Sequence, residues 1–188
     1  MIATYFRSIG LFEEEEINQI VDLFEYRELN KNDFFIKENQ RCHEVALIQS
    51  GIFRSFYSSV NKEDITYCFR FPNTWIAAYS SFITGGPSIE NMQAITPVEL
   101  WVIKKNVINK LATNNLKWTT YLKMIAEEQY LELEKRVFQL QKETASQRYA
   151  NLIKDHPEFI QQLPLNYVAS YLGITQRHLS RIRNQISF

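Results

Sequence analysis

The sequence predicts an α+β protein in which a β-rich N-terminal domain is followed by a long helix and a helical C-terminal domain. Three observations lead to this fold class. Short apolar and aromatic runs with a period of two occupy residues 33–103, which is typical of half-buried strands. Residues 116–143 contain neither Gly nor Pro, which favours one long helix. Residues 165–184 hold two short helical segments that Gly173 separates.

The composition is that of a folded protein, and its charge is unevenly distributed. Hydrophobic residues make up 45% and aromatic residues 14% of the 188 residues, which excludes an intrinsically disordered chain. The formal net charge is zero, but residues 1–134 hold 13 Lys+Arg against 18 Asp+Glu, whereas residues 135–188 hold 8 against 3. A basic C-terminal part is typical of a domain that binds an anionic polymer, although chance asymmetry gives the same pattern.

Several classes of protein are not indicated by the sequence. There is no secretory signal and no apolar run long enough for a membrane span, so we expect a cytoplasmic protein without a membrane partner. Cys42 and Cys68 lack the spacing of a metal site, and the pair Cys42-His43 is only a weak alternative as metal or haem ligands. We therefore predict no metal and no resident cofactor. Because no HExxH, GxSxG, P-loop or GxGxxG motif is present, we do not expect an enzyme.

The N-terminal domain begins with a helical pattern and continues as strands. Residues 13–28 form one apolar helical stripe, with acidic residues in the first turn that suit the helix dipole. The stripe consists of Ile17, Ile20, Val21 and Phe24. The following strands are separated by turn signals, namely Gly51, Pro72-Asn73, Gly85-Gly86-Pro87 and Pro97. Many short strands of this kind indicate an antiparallel sandwich or barrel.

The pattern becomes helical again over residues 104–142, with a further apolar stripe. An uncapped helix of this length has more apolar surface than a small domain can cover, so we predict that it joins two copies of the chain into a homodimer. The alternative is that it packs only on its own β-domain. The stripe falls near a 3.5-residue repeat and consists of Leu122, Ile125, Gln129, Leu133, Val137 and Leu140.

Residues 165–184 have the spacing of a helix-turn-helix, which follows a helical stretch at 144–155. Ala169 supplies the small residue at the helix crossing, and Gly173 tolerates the positive φ of the turn. Thr175 is suited to cap the second helix, predicted over 175–186. The residues expected to face the core are Val168, Leu172, Ile174, Leu179, Ile182 and Ile186.

The opposite face of the second helix has the chemistry of major-groove recognition. Arg is the commonest partner of guanine, Gln and Asn suit adenine, and Ser serves either base or phosphate. A helix N-terminus also favours phosphate. The alternative is a solvated helix face. The sequence predicts double-stranded DNA as a partner, and the residues predicted to contact it are Thr175, Gln176, Arg177, His178, Ser180, Arg181, Arg183 and Asn184.

The order of these elements resembles that of the cyclic AMP receptor protein and FNR (CRP/FNR) family of bacterial transcription regulators. Besides the helix-turn-helix, the run EVALIQSGIFRSFY is similar to the family's strand-Gly-strand hairpin, and TASQRYANLIKDHP is similar to the helix that opens its DNA-binding domain. The resemblance implies a cupin-like barrel (a double-stranded β-helix of the cyclic nucleotide-binding type) over residues 1–113. It also implies a dimerisation helix at 114–142 and a DNA-binding domain at 143–188. A homodimeric transcription regulator would follow, with RNA polymerase as a candidate partner.

The residues that hold the nucleotide in this family are missing. The family has Gly-Glu on a short helix and an Arg some ten residues later, and these positions correspond to Ala77, Ala78 and Ser88 here. A serine hydroxyl does not replace an arginine–phosphate pair, so we do not expect cyclic AMP to be the effector. Two cysteines cannot supply the four thiolates of an FNR-type iron–sulfur cluster. A milder departure is Asn39, which stands where the family usually has Gly and tolerates the same backbone.

A pocket for another small-molecule effector is still expected at this place, and an apolar or mixed ligand would suit it. The alternative is a pocket filled by its own side chains. The residues predicted to form the pocket are Ile76, Ala77, Ala78, Tyr79, Phe82, Ser88 and Met92.

The sequence ends at Phe188, so the resemblance implies a helix-turn-helix without the family's C-terminal β-hairpin wing. Fewer phosphate contacts and a smaller salt dependence of DNA binding would follow. The missing wing and the lost nucleotide-binding residues leave a second hypothesis. In it, the protein is a ligand-binding or protein-interaction module with a vestigial helix-turn-helix.

Overall fold

The computed structural model describes residues 2–185, and within that range the chain forms eight strands and eight α-helices. The strands are β1 (Glu25–Leu29), β2 (Phe34–Ile36), β3 (Glu44–Ser50), β4 (Phe53–Ser58), β5 (Asp64–Arg70), β6 (Trp75–Ile76), β7 (Asn91–Ala94) and β8 (Val98–Lys104). The helices are α1 (Ile2–Ile9), α2 (Glu14–Val21), α3 (Tyr79–Thr84), α4 (Lys105–Asn114), α5 (Leu116–Lys142), α6 (Ala145–Asp155), α7 (Leu165–Leu172) and α8 (Gln176–Gln185). A 3₁₀ turn at Ile160–Gln162 links α6 to α7.

The strands form two antiparallel sheets that pack face to face. Their orders are β1-β8-β3-β6 and β2-β7-β4-β5. The N-terminal domain is therefore a sandwich of two four-stranded sheets, and the prediction of a closed barrel is corrected. The sequence pattern did not distinguish the two, because alternation marks a half-buried strand in either arrangement.

Gly51 is the point where the chain passes from one sheet to the other. The preceding strand β3 pairs with β6 and β8, whereas the following strand β4 pairs with β5 and β7. The strands on either side of Gly51 are thus not a hairpin, which corrects the implied strand-Gly-strand hairpin. The residue has a φ of +88°, and a Cβ added there would lie 2.3 Å from the carbonyl oxygen of Pro97. Only glycine fits this close approach.

Two regular elements near the N-terminus differ from the predicted pattern. The helix expected over 13–28 ends at Val21, and β1 begins four residues later at Glu25. Phe24 is buried as expected, but it lies in the link between them. The helix expected over 104–142 is divided at Asn115, which leaves helical geometry and accepts a hydrogen bond from the Trp118 N–H as an N-cap. Helical stripes continue through such caps, so periodicity alone did not reveal these breaks.

Three apolar clusters hold the fold together. The first fills the sandwich and includes Ile48, Phe53 and Leu100. The second packs α1, α2 and the start of α5 against the outer face of the first sheet, around the fully buried ring of Phe6. The third packs α6, α7 and α8 against the outer face of the second sheet through Phe69 and neighbouring residues. The C-terminal helices thus lie directly on the sandwich.

We predict that Gly51→Ala lowers the free energy of unfolding by about 2–4 kcal/mol, because a positive φ and a backbone clash act together. Gly10→Ala is the matched control. Gly10 has a φ of +71°, but nothing lies within 4 Å of the position of its Cβ, so only the backbone cost of about 1 kcal/mol is expected. Urea denaturation measures both values, and equal losses would contradict a close approach at Gly51.

Candidate nucleic-acid interface and ligand cavity

The turn between α7 and α8 has the geometry that its sequence predicts. Gly173 ends α7 with a φ of 69°, and the next N–H, of Ile174, donates to the carbonyl of Ala169 at 3.0 Å. This is the hydrogen bond of a Schellman motif. Ala169 is buried where the helices cross. Thr175 caps α8, because its hydroxyl accepts a hydrogen bond from the N–H of His178 at 3.2 Å.

Helix α8 has one buried face and one exposed face. Leu179 and Ile182 are buried, as expected, against α7 and its neighbours. Ile186, which we expected to join them, lies outside the described residues. The eight residues predicted to contact DNA are all exposed. Arg177 and Arg181 are four positions apart and therefore lie one turn from each other along the exposed face.

Helix α7 covers the edge strand β5 of the second sheet. Ser170 makes two hydrogen bonds to this strand: its hydroxyl accepts from the Thr66 N–H at 2.9 Å and donates to the Asp64 carbonyl at 3.1 Å. The side chain therefore occupies the place that a further strand would take. Nearby, the ring of Tyr171 lies 5.2 Å from that of Phe69.

A buried arginine lies between α7 and the sheet. Arg54, on β4, is only 3% exposed, and its guanidinium lies 3.7 Å from the ring centroids of both Phe56 and Tyr167. Asp64 accepts a hydrogen bond from it at 3.1 Å, which compensates its charge. Sequence analysis missed this residue. The available signal was a single charge within the apolar strand FRSFY.

Two further arginines hold the C-terminal end of α7. Arg148 of α6 donates to the Leu172 carbonyl at 2.8 Å, and Arg136 of α5 donates to the Tyr171 carbonyl. The Arg136 guanidinium also lies 3.8 Å from the centre of the Tyr171 ring. Cations at this end satisfy unpaired carbonyls and complement the negative end of the helix dipole. The helix pair α7–α8 is thus fixed to both the sandwich and the long helix.

The predicted dimerisation stripe on α5 is divided between two faces. Its C-terminal half is exposed, and Leu133 is the most exposed at 63%, followed by Leu140 and Val137. The other members, which we predicted to belong to the same dimerisation stripe, are half-buried against their own domain. Leu122 and Ile125 pack on the first sheet and its helices, and Gln129 accepts a hydrogen bond from Arg70 at 2.8 Å. A straight helix has 3.6 residues per turn, so a 3.5-residue repeat drifts to another face along its length.

A cavity of about 200 Å³ lies between the outer face of the first sheet and helices α3, α4 and α5. Three of the seven predicted pocket residues line it, namely Ala77, Tyr79 and Phe82. Sequence analysis did not identify the aromatic lining, which Trp75, Trp118 and Tyr121 form.

The remaining predicted pocket residues lie elsewhere, which corrects the predicted lining. Ile76, Ala78 and Met92 are part of the sandwich core. Ser88 is buried, and its hydroxyl donates to the Glu90 carbonyl at 2.8 Å. Successive residues of a strand point to opposite faces, so Ile76 points into the sandwich while its neighbours face the cavity. The expected interior pocket is filled at these positions by the protein's own side chains.

The comparisons with known proteins agree with this geometry. Residues 26–115 match the family of cyclic nucleotide-binding domains. FixK2 from Bradyrhizobium japonicum has a TM-score of 0.76 at 18% identity, over 87% of this chain and 84% of that one. A protein from Eubacterium rectale assigned to the CRP/FNR transcriptional regulators has a TM-score of 0.73 at 16% identity, over 97% and 87%. The catabolite activator protein of Thermus thermophilus has a TM-score of 0.59 at 16% identity, over 93% of this chain and 84% of that one.

Residues 26–115 therefore resemble a cyclic nucleotide-binding domain, and the chain shares its fold with these three solved structures. The resemblance read from the sequence is thereby confirmed at the level of fold, since identities this low show the fold alone. No curated protein sequence matches the chain. In the part of the chain that the structure describes, no helix is long and apolar enough to cross a membrane. Across residues 2–185, no three His, Cys, Asp or Glu residues come together as a metal site.

Two polar pairs involve residues of β5, namely Arg70 and Tyr67. Arg70 donates to Glu132 at 2.7 Å as well as to Gln129, which ties β5 to the long helix. Glu90 is buried and accepts a hydrogen bond from the hydroxyl of Tyr67. Burial raises the pKa of Glu90 above its ordinary value, because the charged form loses its hydration.

Asn39 has a φ of 69°, as expected at a position where the family usually has Gly.

We predict that Glu90→Gln makes the protein more stable than the wild type at neutral pH, and that this difference disappears below about pH 4.5. A raised folded-state pKa favours folding while the carboxyl is protonated, and this contribution is lost as the pH rises through the folded pKa. Glutamine stays neutral and keeps an acceptor for Tyr67. Urea denaturation between about pH 4 and about pH 8 measures the difference in the free energy of unfolding between the two proteins.

Glu99→Gln is the control of opposite sign. Hydrogen bonds from Ser50, Tyr26 and Gln49 lower the pKa of Glu99. Its contribution is present above the unfolded pKa and lost as the pH falls through the folded one, so this variant should be the less stable at neutral pH. A stability difference for Glu90→Gln that does not change with pH would contradict a buried Glu90 carboxyl with a raised pKa.

Proposed function

We propose that the protein is a homodimeric transcription regulator of the CRP/FNR type, which binds double-stranded DNA in the cytoplasm through α8. One observation carries the proposal. The exposed face of α8 presents the eight predicted DNA-contacting residues, while Leu179 and Ile182 anchor its other face. A basic, exposed helix that follows a tight glycine turn suits insertion into the major groove. The basic C-terminal part of the chain favours association with a phosphate backbone.

Within this proposal, the residues of α8 have different roles. Gln176, Arg177 and Arg181 contact bases, and Ser180 contacts a base or a phosphate. The residues with peripheral roles are Thr175, His178, Arg183 and Asn184. In a dimer, two such helices read half-sites about one helical turn apart, roughly 34 Å, so the operator is pseudo-palindromic.

The proposal excludes cyclic AMP as effector and includes no catalysis. Ala78 and Ser88 correspond to the family's nucleotide-binding Glu and Arg, and both are buried. The Ser88 hydroxyl is engaged with the Glu90 backbone, so it offers nothing to a phosphate. Catalysis is left out because the sequence contains no catalytic motif.

The exposed stripe of α5 supports the dimer. Besides Leu133, Val137 and Leu140, the exposed apolar residues on this half of the helix are Tyr130, Leu131 and Phe138. A stripe of this kind on one helix is a suitable surface for a second copy of the same helix.

We predict that Arg177→Ala or Arg181→Ala lowers the affinity for a specific DNA site by ~1–3 kcal/mol, because each removes a bidentate base contact. Arg41→Ala is the matched control, since Arg41 is an exposed arginine on the sandwich. Fluorescence anisotropy with labelled DNA from upstream of its own gene measures the affinities, at several salt concentrations and with or without cyclic AMP.

Unchanged specific affinity in both variants would contradict the assignment of α8. Binding that requires cyclic AMP would contradict the exclusion of that effector. A folded dimer with no affinity for DNA above background would favour the alternative of an interaction module with a vestigial helix-turn-helix.

We predict that Val137→Glu raises the dissociation constant of the dimer at least about 100-fold, because association would bury an unpaired charge from each copy. Val60→Glu is the control, since Val60 is fully exposed in the turn between β4 and β5. Sedimentation equilibrium measures both variants. A wild-type monomer, or a Val137→Glu variant that dimerises normally, would rule out this face as the interface.

A further inference from the structure

The cavity beside α5 has the size of a small organic molecule. Its volume is about 200 Å³. An apolar protein cavity of roughly 150 Å³ stays dry and binds benzene, so this one has room for one ring and a substituent. It opens to solvent beside α3, where Ile83 is 61% exposed. A ligand can therefore enter without unfolding of the domain.

One wall of the cavity is aromatic, and the polar atoms of two of its three members, Trp75 and Tyr121, are already paired. The Trp75 indole donates to the hydroxyl of Tyr5 at 2.7 Å. That hydroxyl in turn lies 3.2 Å from the hydroxyl of Tyr121. Because these polar groups hydrogen-bond to one another, Trp75 and Tyr121 present ring surface to an occupant of the cavity. Flat ring surfaces favour an aromatic ligand, which packs against them in stacked or edge-to-face geometry.

The polar end of the cavity carries no net charge. Arg70 contributes a cation, but Glu132 accepts a hydrogen bond from it at 2.7 Å and balances that charge. A second carboxylate at this end would compete with Glu132 for the same guanidinium. The neutral amides of Gln129 and Asn109 also line the cavity. Gln129 is engaged with Arg70 and Glu132, whereas the amide of Asn109 offers a donor and an acceptor. A neutral ligand with one hydrogen-bonding group suits this end better than an anion.

We propose that this cavity binds a neutral, one-ring aromatic molecule that carries a single hydrogen-bonding group. The site shares only Ala77 with the three positions that correspond to the family's nucleotide-binding residues, because neither Ala78 nor Ser88 lines it. Its walls include both α3 and α5, so an occupant contacts the cyclic nucleotide-binding domain and the long helix together. A role as effector rests on the proposed function, whereas the binding itself does not.

Benzyl alcohol is the probe, and benzoate is its matched anion with the same ring. Trp75 and Trp118 line the cavity and report on its occupation, whereas Trp101 donates to Gln49 outside it. Titration of the full chain without DNA should change the tryptophan fluorescence saturably, with a dissociation constant on the order of 1 mM or tighter. Calorimetry measures the same binding without relying on fluorescence. Benzoate should bind at least about tenfold more weakly.

Ala77→Leu fills the cavity and should weaken the binding of benzyl alcohol at least about tenfold. Ala150→Leu adds the same volume on the exposed surface of α6 and should leave it unchanged. Ile125→Phe fills the cavity from α5 and replaces the first variant if that one does not fold. Unsaturable binding, equal binding in the filled variants, or tighter binding of benzoate would overturn the proposal. None of these results depends on DNA, so they are separate from a failure of the proposed function.

Discussion

One side of α5 holds the molecule together, because it contacts each of the other parts in turn. Near its start, Trp118 packs among the rings of the N-terminal helices. In the middle, Gln129 and Glu132 bind Arg70 of the second sheet. Near its end, Arg136 binds the last turn of α7. A helix that is fixed at three levels cannot rotate at one of them without disturbing the others. The cavity, the sheet edge and the orientation of α7–α8 are therefore set by a single rigid element.

The docking of α7 on β5 both pairs the backbone of an edge strand and covers a buried arginine. An edge strand leaves unpaired backbone groups, and a buried arginine needs partners. Ser170 pairs with the backbone of β5, while the ring of Tyr167 covers the Arg54 guanidinium beside its ion pair with Asp64. Breaking this contact would expose the strand edge and remove the Tyr167 ring from the Arg54 guanidinium. The position of α7 and α8 is consequently tied to the integrity of the β-sandwich.

Local patterns in the sequence were sufficient for most elements, because their causes are local. Gly173, Thr175 and the apolar residues of α8 each act within a few positions, so the end of α7, the start of α8 and the burial of Leu179 and Ile182 followed from the sequence alone. The pairing of β3 and β4 depends on partners far along the chain, and alternation does not encode them. The implied hairpin at Gly51 was therefore wrong, although the need for glycine there was real.

The candidate sites differ in the same way: one depends on local sequence and the other on residues far apart in the chain. The exposed surface of α8 is a property of one helix, so seven of its exposed residues were identified from the sequence, together with the preceding Thr175, whereas the exposed Gln185 was not. The cavity is built by side chains from α3, α4, α5 and the first sheet, which no single stretch brings together. Sequence analysis found only the residues that lie on and beside α3, and it missed Trp75, Trp118 and Tyr121. It also missed Arg54, whose guanidinium is surrounded by two aromatic rings and donates hydrogen bonds to Asp64 and Gln93. A charged residue in a strand is ordinarily solvent-exposed, so its burial becomes visible only once the fold supplies the partners.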